Sequence, residues 1–390
     1  MRLRAATFYA SIIAAAHAAT TPTPEGDAAA VREYNGSCTH PVVRKEWRTL
    51  STPEKHNYID AVLCLATKPS EIGLGTTRYD DFAYSHMINE KQIHFVSNFL
   101  PWHRYFVHVY EKALQDCGYT GSAVYWDWTL DSDEPRDSPV WDIETGFGGD
   151  GTGGDPSCIV DGPFAGFQVA YRASGYAPHC LSRQFNGSGP SMLKHAYTPA
   201  VVEGIFGIPG YDAFRQRLES YPHGAIHSAI GGDMVPAHSP NDPIFFLHHG
   251  QVDRIWTLWQ QENPENRTFD YSGVRRQTFP GGPQPGQASL DDLLEMQGMA
   301  MDLPVRDLMR STMVRCSSKD LESFSTFLDV CPRERDLFST GIFKELLLES
   351  GASGWPETAC VGLEERTPDS LPTKRRPFVR HAGTWRRHPV

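Results

Sequence analysis

The sequence predicts a mainly α-helical domain with long irregular loops and few short strands. Apolar residues recur at helical spacing in many segments, whereas the apolar–polar alternation that marks strands is rare and short. The stretch from 131 to about 190 is rich in Gly, Pro, Asp and Ser and predicts a long irregular excursion. We predict helices over residues 52–66, 79–89, 101–115, 211–220, 222–230, 242–261, 320–328 and 336–349.

The ends of these helices follow from capping chemistry. Asp242 can accept hydrogen bonds from the free N–H groups at a helix start, and Pro243 suits the first helical position because no N–H is needed there. Pro101 opens an earlier helix in the same way. Gly118 and Gly231 predict helix ends, because glycine readily adopts the backbone conformation that follows the last turn.

The two ends of the chain do not share the helical pattern of the middle. Arg2 and Arg4 precede an apolar run that closes on Ala-His-Ala, the arrangement of a secretory signal peptide and its cleavage site. The last residues form a basic tail without periodicity, which we expect to be disordered or removed by processing. We therefore predict a signal peptide over 1–18, one catalytic domain over 19–366, a tail over 367–390, and a secreted product.

Charge and cysteine usage narrow the class of protein. The formal net charge is −11, which argues against a nucleic-acid partner or an anionic membrane surface. Beyond the leader, no apolar run approaches the roughly 20 residues that span a bilayer. Eight cysteines without a CxxC pair favour disulfides over zinc or redox chemistry. Three sequons permit N-glycosylation, at Asn35, Asn186 and Asn266.

Two sets of histidines indicate a metal site. His223 and His227 lie four residues apart, so on a helix both imidazoles project from one face. His249 shares a helix face with Phe245 and Asp253, and an imidazole between an aromatic ring and a carboxylate is typical of a supported metal ligand. A second set lies upstream among aromatic residues: His86, His94 and His103.

The pattern from His94 to Glu111, and the run from Asp242 through His249 to Asp253, resemble the two copper-binding signatures of the tyrosinase, catechol oxidase and hemocyanin family. The spacing of the histidines is most similar to short secreted fungal members. The resemblance implies a four-helix bundle core that holds two copper ions. It implies one copper on His86, His94 and His103, the other on His223, His227 and His249, His248 and Asp253 as supporting residues, and Phe245 against a ligand ring.

The donor atoms indicate a preferred metal independently of the family resemblance. Six neutral imidazoles without a carboxylate suit copper better than the oxygen-preferring Mg, Ca or Mn. Two copper ions held together can give two electrons to O₂. A catechol that reaches the oxidised pair loses two protons and two electrons and leaves as an o-quinone.

Departures from the family pattern bear on the substrate. Gln92 stands where many fungal members carry a cysteine that forms a thioether with a ligand, so we expect no thioether here. Gly224 stands where strong monophenol hydroxylases carry an Asn that holds a water, although Glu219 resembles the acidic partner of that water. Val235 and Ala237 are small and predict an accessible site.

We therefore expect o-diphenol oxidation by O₂, with weak or no monophenol hydroxylation, and a small phenol as the partner. Four alternatives stay open. They are a true tyrosinase with monophenol activity, an oxidase of o-aminophenols or other secondary metabolites, an O₂ carrier like hemocyanin, and a di-zinc hydrolase that uses the same histidines.

Overall fold

The computed structural model describes residues 43–154, 156–185, 191–277 and 284–310. These residues belong to the first of two compact units of the chain, Met1–Phe324; the second is Ser325–Val390. The predicted signal peptide, basic tail and helices at 320–328 and 336–349 lie outside the described residues, as do the domain boundaries at 18 and 366. Within the described part no helix is long and apolar enough to cross a membrane.

The mainly helical class is confirmed, and most predicted helices are present. The helices are α1 (Thr52–Leu65), α2 (Arg78–Ile93), α3 (Phe99–Asp116), α4 (Pro199–Phe206), α5 (Tyr211–Leu218), α6 (Gly224–Ile230), α7 (Ile244–Glu262), α8 (Pro264–Arg267) and α9 (Val305–Leu308). Capping boxes start α1 at Ser51 and α2 at Thr77, each with an acidic residue three positions later. The helices α4, α8 and α9 were not predicted, and a π-helical turn over Glu219–His223 lies between α5 and α6.

The described part of the long excursion, 131–154 and 156–185, is mostly irregular, as predicted, but it contains two small antiparallel strand pairs. A third pair follows α8. The strands are β1 (Gly151–Thr152), β2 (Cys158–Ile159), β3 (Gln168–Arg172), β4 (Gly175–Cys180), β5 (Leu293–Leu294) and β6 (Leu303–Pro304), paired in that order. Disulfides join Cys64 to Cys117 and Cys158 to Cys180. The other four cysteines lie outside the described residues.

The core forms where α3 packs against α7, α2 and α1. Aromatic rings fill this space, including Phe82 of α2, Phe106 and Tyr110 of α3, and Phe246 of α7. Edge-to-face and stacked ring pairs add to the apolar area that they bury. These contacts fix α2, α3 and α7 relative to one another, and each of the three carries or ends at a predicted metal ligand.

Two buried ion pairs reinforce the start and the middle of α7. Arg183 donates to both carboxylate oxygens of Asp242, and neither residue is exposed to solvent. Asp242 also accepts from the N–H of Ile244, but α7 begins two residues later than predicted and Pro243, not Asp242, holds the N-cap position. Arg104 of α3 donates to Asp253 of α7 at 2.5 Å and thereby links the two helices.

Candidate metal centre

The first three histidines converge at the meeting of α2 and α3. His86 lies on α2, His94 caps the C-terminus of α2, and His103 lies on α3. The Nε2 atoms of His86 and His103 are 3.3 Å apart, and the His94 ring centroid lies 4.9 Å from that of His86 and 5.1 Å from that of His103. One ligand atom from each ring lies within 4.8 Å of the others.

The second three histidines converge in the same way. His223 ends the π-turn, His227 lies on α6 and His249 lies on α7. Their ring centroids are 4.5 to 5.7 Å apart. The π-turn replaces the regular helix predicted to start at 222, and such turns are frequent at functional sites because they re-aim side chains.

The two sets adjoin each other. The rings of His103 and His249 stack with centroids 4.2 Å apart and planes 9° apart. His94 and His223 face each other across 6.4 Å. The residues predicted as two ligand sets therefore form one continuous histidine cluster, which could hold two neighbouring metal ions.

Hydrogen bonds define which nitrogen is free in four of the six rings. The Nδ1–H groups of four rings donate to backbone carbonyls: His86 to Ala237, His103 to Phe99, His223 to Glu219 and His227 to Met234, at 2.5 to 2.9 Å. A ring that donates from Nδ1 presents the lone pair of Nε2, and this arrangement is typical of metal-bound histidine.

The Nε2 atoms of His223, His227 and His249 are buried without a hydrogen-bond partner. Buried polar atoms are normally paired, so unpartnered nitrogens that point at one another indicate a place for a ligand. Burial lowers the pKa of His86 to about 3 and that of His227 to about 4, and it holds the pKa values of His103, His223 and His249 well below the usual range. These imidazoles are therefore neutral at pH 7, as metal ligands must be.

His248 and His249 are both fully buried and both near the second set. The His249 ring lies between the sets, 4.2 Å from His103 and 5.1 Å from His223. The His248 ring lies 4.9 Å from His227 and 5.2 Å from His223, on the side of Trp128. The position of His249 between the two sets favours it as the ligand, as the sequence suggested, with His248 behind the site.

The structure changes the expected role of Asp253. Both nitrogens of His249 lack a hydrogen-bond partner, so Asp253 does not orient that ring. Its carboxylate instead accepts from Arg104 and from Arg44. The reason is that Arg104 is buried, and burying an arginine is costly unless a carboxylate pairs with it. Phe245 does pack on His249, with ring centroids 4.2 Å apart, and also contacts the His86 ring at 5.1 Å.

Glu219 is not a free carboxylate. Its Oε1 accepts from the Phe95 N–H and its Oε2 from Arg215, each at 2.6 Å, and the residue is 2% exposed. Burial raises the pKa of Glu219, while His94, the Phe95 N–H and Arg215 lower it. The expected base or water anchor is therefore engaged by two donors. The pairing with Arg215 was visible in the sequence, because positions four apart meet on a helix.

The predicted access residues lie around the cluster. Val235 is 56% exposed, Ala237 is partly buried, and Gly224 starts α6 directly after His223. Sequence reasoning missed Phe95, which follows His94 and has a φ of +57° although it is an exposed aromatic residue. It also missed the carbonyl groups that orient the rings, because no side-chain pattern encodes them.

The fold and the site define a class of protein: a helical frame with two adjoining sets of neutral, buried imidazoles, which fits a dinuclear copper site. A family model described as the common central domain of tyrosinase matches residues 76–262. The tyrosinase-like protein phomQ1 of Diaporthe leptostromiformis is 43% identical over 293 residues, which is 70% of this chain and 75% of that protein.

The tyrosinase ustQ of Aspergillus flavus is 40% identical over 281 residues, with 70% of this chain and 77% of that protein covered. Among solved structures, a mutant of the polyphenol oxidase from Thermothelomyces thermophila is similar, with a TM-score of 0.61 and 30% identity over 70% of this chain and 86% of that one. The chain therefore belongs to the tyrosinase family and is an oxidase of that type. Proteins of this family bind a dinuclear copper centre.

The ligand assignment predicts different losses for the two neighbouring histidines. His249→Ala should lose one of two copper ions and all oxidase activity, because it removes a nitrogen that faces both sets. His248→Ala should keep both ions but weaken copper affinity by about 10–100-fold, the usual cost of losing a supporting residue. Copper per protein and titration with a chelator would measure both. His108→Ala, a buried histidine outside the cluster, serves as the control, and an exchange of the two results would refute the assignment.

The positive φ of Phe95 predicts that a glycine variant is more stable than an alanine variant at this position. The left-handed conformation costs a residue with a Cβ atom about 1–2 kcal/mol, whereas glycine adopts it freely but loses about 0.5–1 kcal/mol through the unfolded chain. Phe95→Gly should therefore be more stable than Phe95→Ala by up to about 1.5 kcal/mol, since both remove the ring. Urea denaturation of the two metal-free variants tests this, and an alanine variant of equal or greater stability would contradict it.

Proposed function

We propose that this tyrosinase-family oxidase converts o-diphenols to o-quinones with O₂ and hydroxylates monophenols weakly or not at all. The observation that carries the proposal is the state of Glu219. A general base must be free to take the proton of the phenol. Glu219 is instead bound to Arg215 and to the Phe95 N–H, and Gly224 has no side chain that could hold a water beside it.

The oxidation of a catechol makes fewer chemical demands on the site than the hydroxylation of a monophenol. It carries both oxygens already, so its oxidation removes two electrons and two protons and leaves an o-quinone. Two such oxidations reduce one O₂ to two waters, which balances the reaction. When bound, the copper pair supplies the two-electron exchange between the phenol and O₂. The chain contributes neutral imidazoles that would hold the two ions and backbone carbonyls that fix the ring orientations.

The surroundings of the cluster also support a small phenol as substrate. Val235, next to the Met234 carbonyl that orients His227, is 56% exposed, and aromatic rings pack on the cluster, with Phe99 against His223 at 4.8 Å and Phe245 against His249. Apolar walls exclude water from the ligands and offer surfaces on which an aromatic ring can pack. The exposed Phe95 adds an aromatic side chain next to His94.

We also propose that the protein is secreted and glycosylated. The pattern of residues 1–18 supports an export signal. The disulfides Cys64–Cys117 and Cys158–Cys180 support an oxidising compartment. Asn266 is exposed at the end of α8, where a glycan could attach without disturbing the core.

A substrate panel tests the proposed reaction. The copper-loaded protein should consume O₂ with catechol without delay. Tyramine, a monophenol, should react about 100-fold or more slowly, because a missing general base costs about 10²–10⁴ in rate. O₂ uptake and quinone absorbance measure both, with o-aminophenol as a third substrate. Equal rates for tyramine and catechol would overturn the proposed preference, and copper binding without turnover of any of the three would indicate an O₂ carrier.

Gly224 offers a second test, by gain of activity. A Cβ atom at this position would come no closer than 3.4 Å to its nearest neighbour, the Glu219 carbonyl oxygen, so a side chain fits. Gly224→Asn should raise the ratio of tyramine to catechol turnover, because the amide can hold a water next to His223. Gly224→Ala adds the Cβ without the amide and should leave the ratio unchanged. Equal ratios in the two variants would show that this position does not set the preference.

A further inference from the structure

A second polar cluster lies beside the metal centre, in the segment 231–241 between α6 and α7. Two of the carbonyls that orient imidazoles belong to this segment. The Met234 oxygen accepts from His227 at 2.5 Å, and the Ala237 oxygen accepts from His86 at 2.6 Å. One short loop therefore orients one ring in each of the two histidine sets.

We propose that Asp233 is a positioning residue for both metal ions, because its buried carboxylate fixes the segment that orients His86 and His227. The inference rests on the proposed copper pair but not on the substrate. Asp233 does not accept the hydrogen bonds of His86 and His227, which go to the carbonyls of Ala237 and Met234. It would act through the backbone of Met234 and Ala237.

The carboxylate of Asp233 is 1% exposed and joins the segment to the β4 side of the fold. Its Oδ2 accepts from the N–H and the hydroxyl of Ser182, both at 2.8 Å. Its Oδ1 accepts from the side-chain amide of Asn241 at 3.1 Å, at the far end of the same segment. The Asp233 N–H donates to the Ser182 oxygen at 3.0 Å. One side chain thus ties both ends of the segment to Ser182.

Two histidines complete the cluster. The Nε2 atom of His179 lies 2.8 Å from Asp233 Oδ1, and that of His238 lies 3.2 Å from it. The Nδ1 atom of His179 lies 2.9 Å from the Ala177 carbonyl oxygen. Both nitrogens of His179 face acceptors, so both must carry protons, and His179 is an imidazolium. The charge of the buried carboxylate is therefore compensated, which a stable buried anion requires.

The two glycines at the start of the segment leave it little freedom to shift. Gly231 and Gly232 have φ values of +70° and +52°, and a Cβ atom on either would collide with the backbone of 182–184. The close approach lets the segment lie directly on the backbone that follows β4, including Ser182. Without the carboxylate, Ser182, His179 and Asn241 would lose their shared acceptor, and the two carbonyls would no longer be fixed.

Asp233→Asn is the decisive variant, since it keeps the shape and removes the charge. We expect it to weaken copper affinity at both ions by about 10–100-fold, the range for residues that orient ligands. The measurement is copper release to a chelator below the unfolding temperature, without substrate, together with the copper content at equilibrium. Asp131→Asn is the matched control, because Asp131 is a largely buried carboxylate that accepts from Arg48, Trp126 and Ser138 away from the segment.

A purely structural role predicts that both variants lower the melting temperature of the metal-free protein and leave copper release equal. That result would overturn the inference. So would a third bound metal in the native protein that Asp233→Asn removes, because His179, Asp233 and His238 would then be ligands. If Asp233→Asn does not fold, Ser182→Ala removes one donor and should speed copper release by a smaller factor; no change there also counts against the inference. Copper release without substrate separates this test from failure of the catechol reaction.

Discussion

The whole site depends on keeping its imidazoles neutral and inward-facing before any metal arrives. Burial supplies the neutrality, because it lowers the pKa of His86 to about 3 and that of His227 to about 4. Burial does not choose the tautomer. Backbone carbonyls do, by accepting the Nδ1–H group and leaving the Nε2 lone pair for the centre. The fold thus places backbone carbonyl oxygens where they accept from the Nδ1–H groups of the histidines.

Those carbonyls come from two kinds of backbone. His103 and His223 donate to carbonyls four residues earlier in their own helical turns, at Phe99 and Glu219, so the helix itself orients them. His86 and His227 donate to the segment between α6 and α7, where Met234 ends a single 3₁₀ turn (Gly232–Met234) and Ala237 lies outside any helix. A loop carbonyl needs its own support. This difference explains why a dense polar cluster around Asp233 lies under that loop, at some desolvation cost to the fold.

Much of the fold could be predicted from the sequence, because apolar periodicity and capping residues indicate where helices begin and end. The helix predicted over 52–66 is Thr52–Leu65, and the one over 101–115 is Phe99–Asp116. The helix predicted to end at 89 runs to Ile93, since its last turn is polar and hid the pattern. The convergence of the histidine sets was predicted from spacing, aromatic neighbours and family resemblance. The arginine partners of Asp253 were not predictable, because Arg104 lies 149 residues away and Arg44 lies 209 residues away, and no local pattern joins either of them to Asp253.

Glu219 shows how a single residue can connect the two histidine sets. Its main-chain oxygen orients His223, and its side chain holds the N–H of Phe95, the residue after His94. It therefore connects one ring of each histidine set, and Arg215 stabilises its charge in the buried position. The same bonds hold Phe95 at a φ of +57°, a conformation that such a residue does not adopt without support. The Glu219 carboxylate is held by Arg215 and by the Phe95 N–H as part of this framework. This engagement is the basis of the proposed preference for substrates that already carry two oxygens.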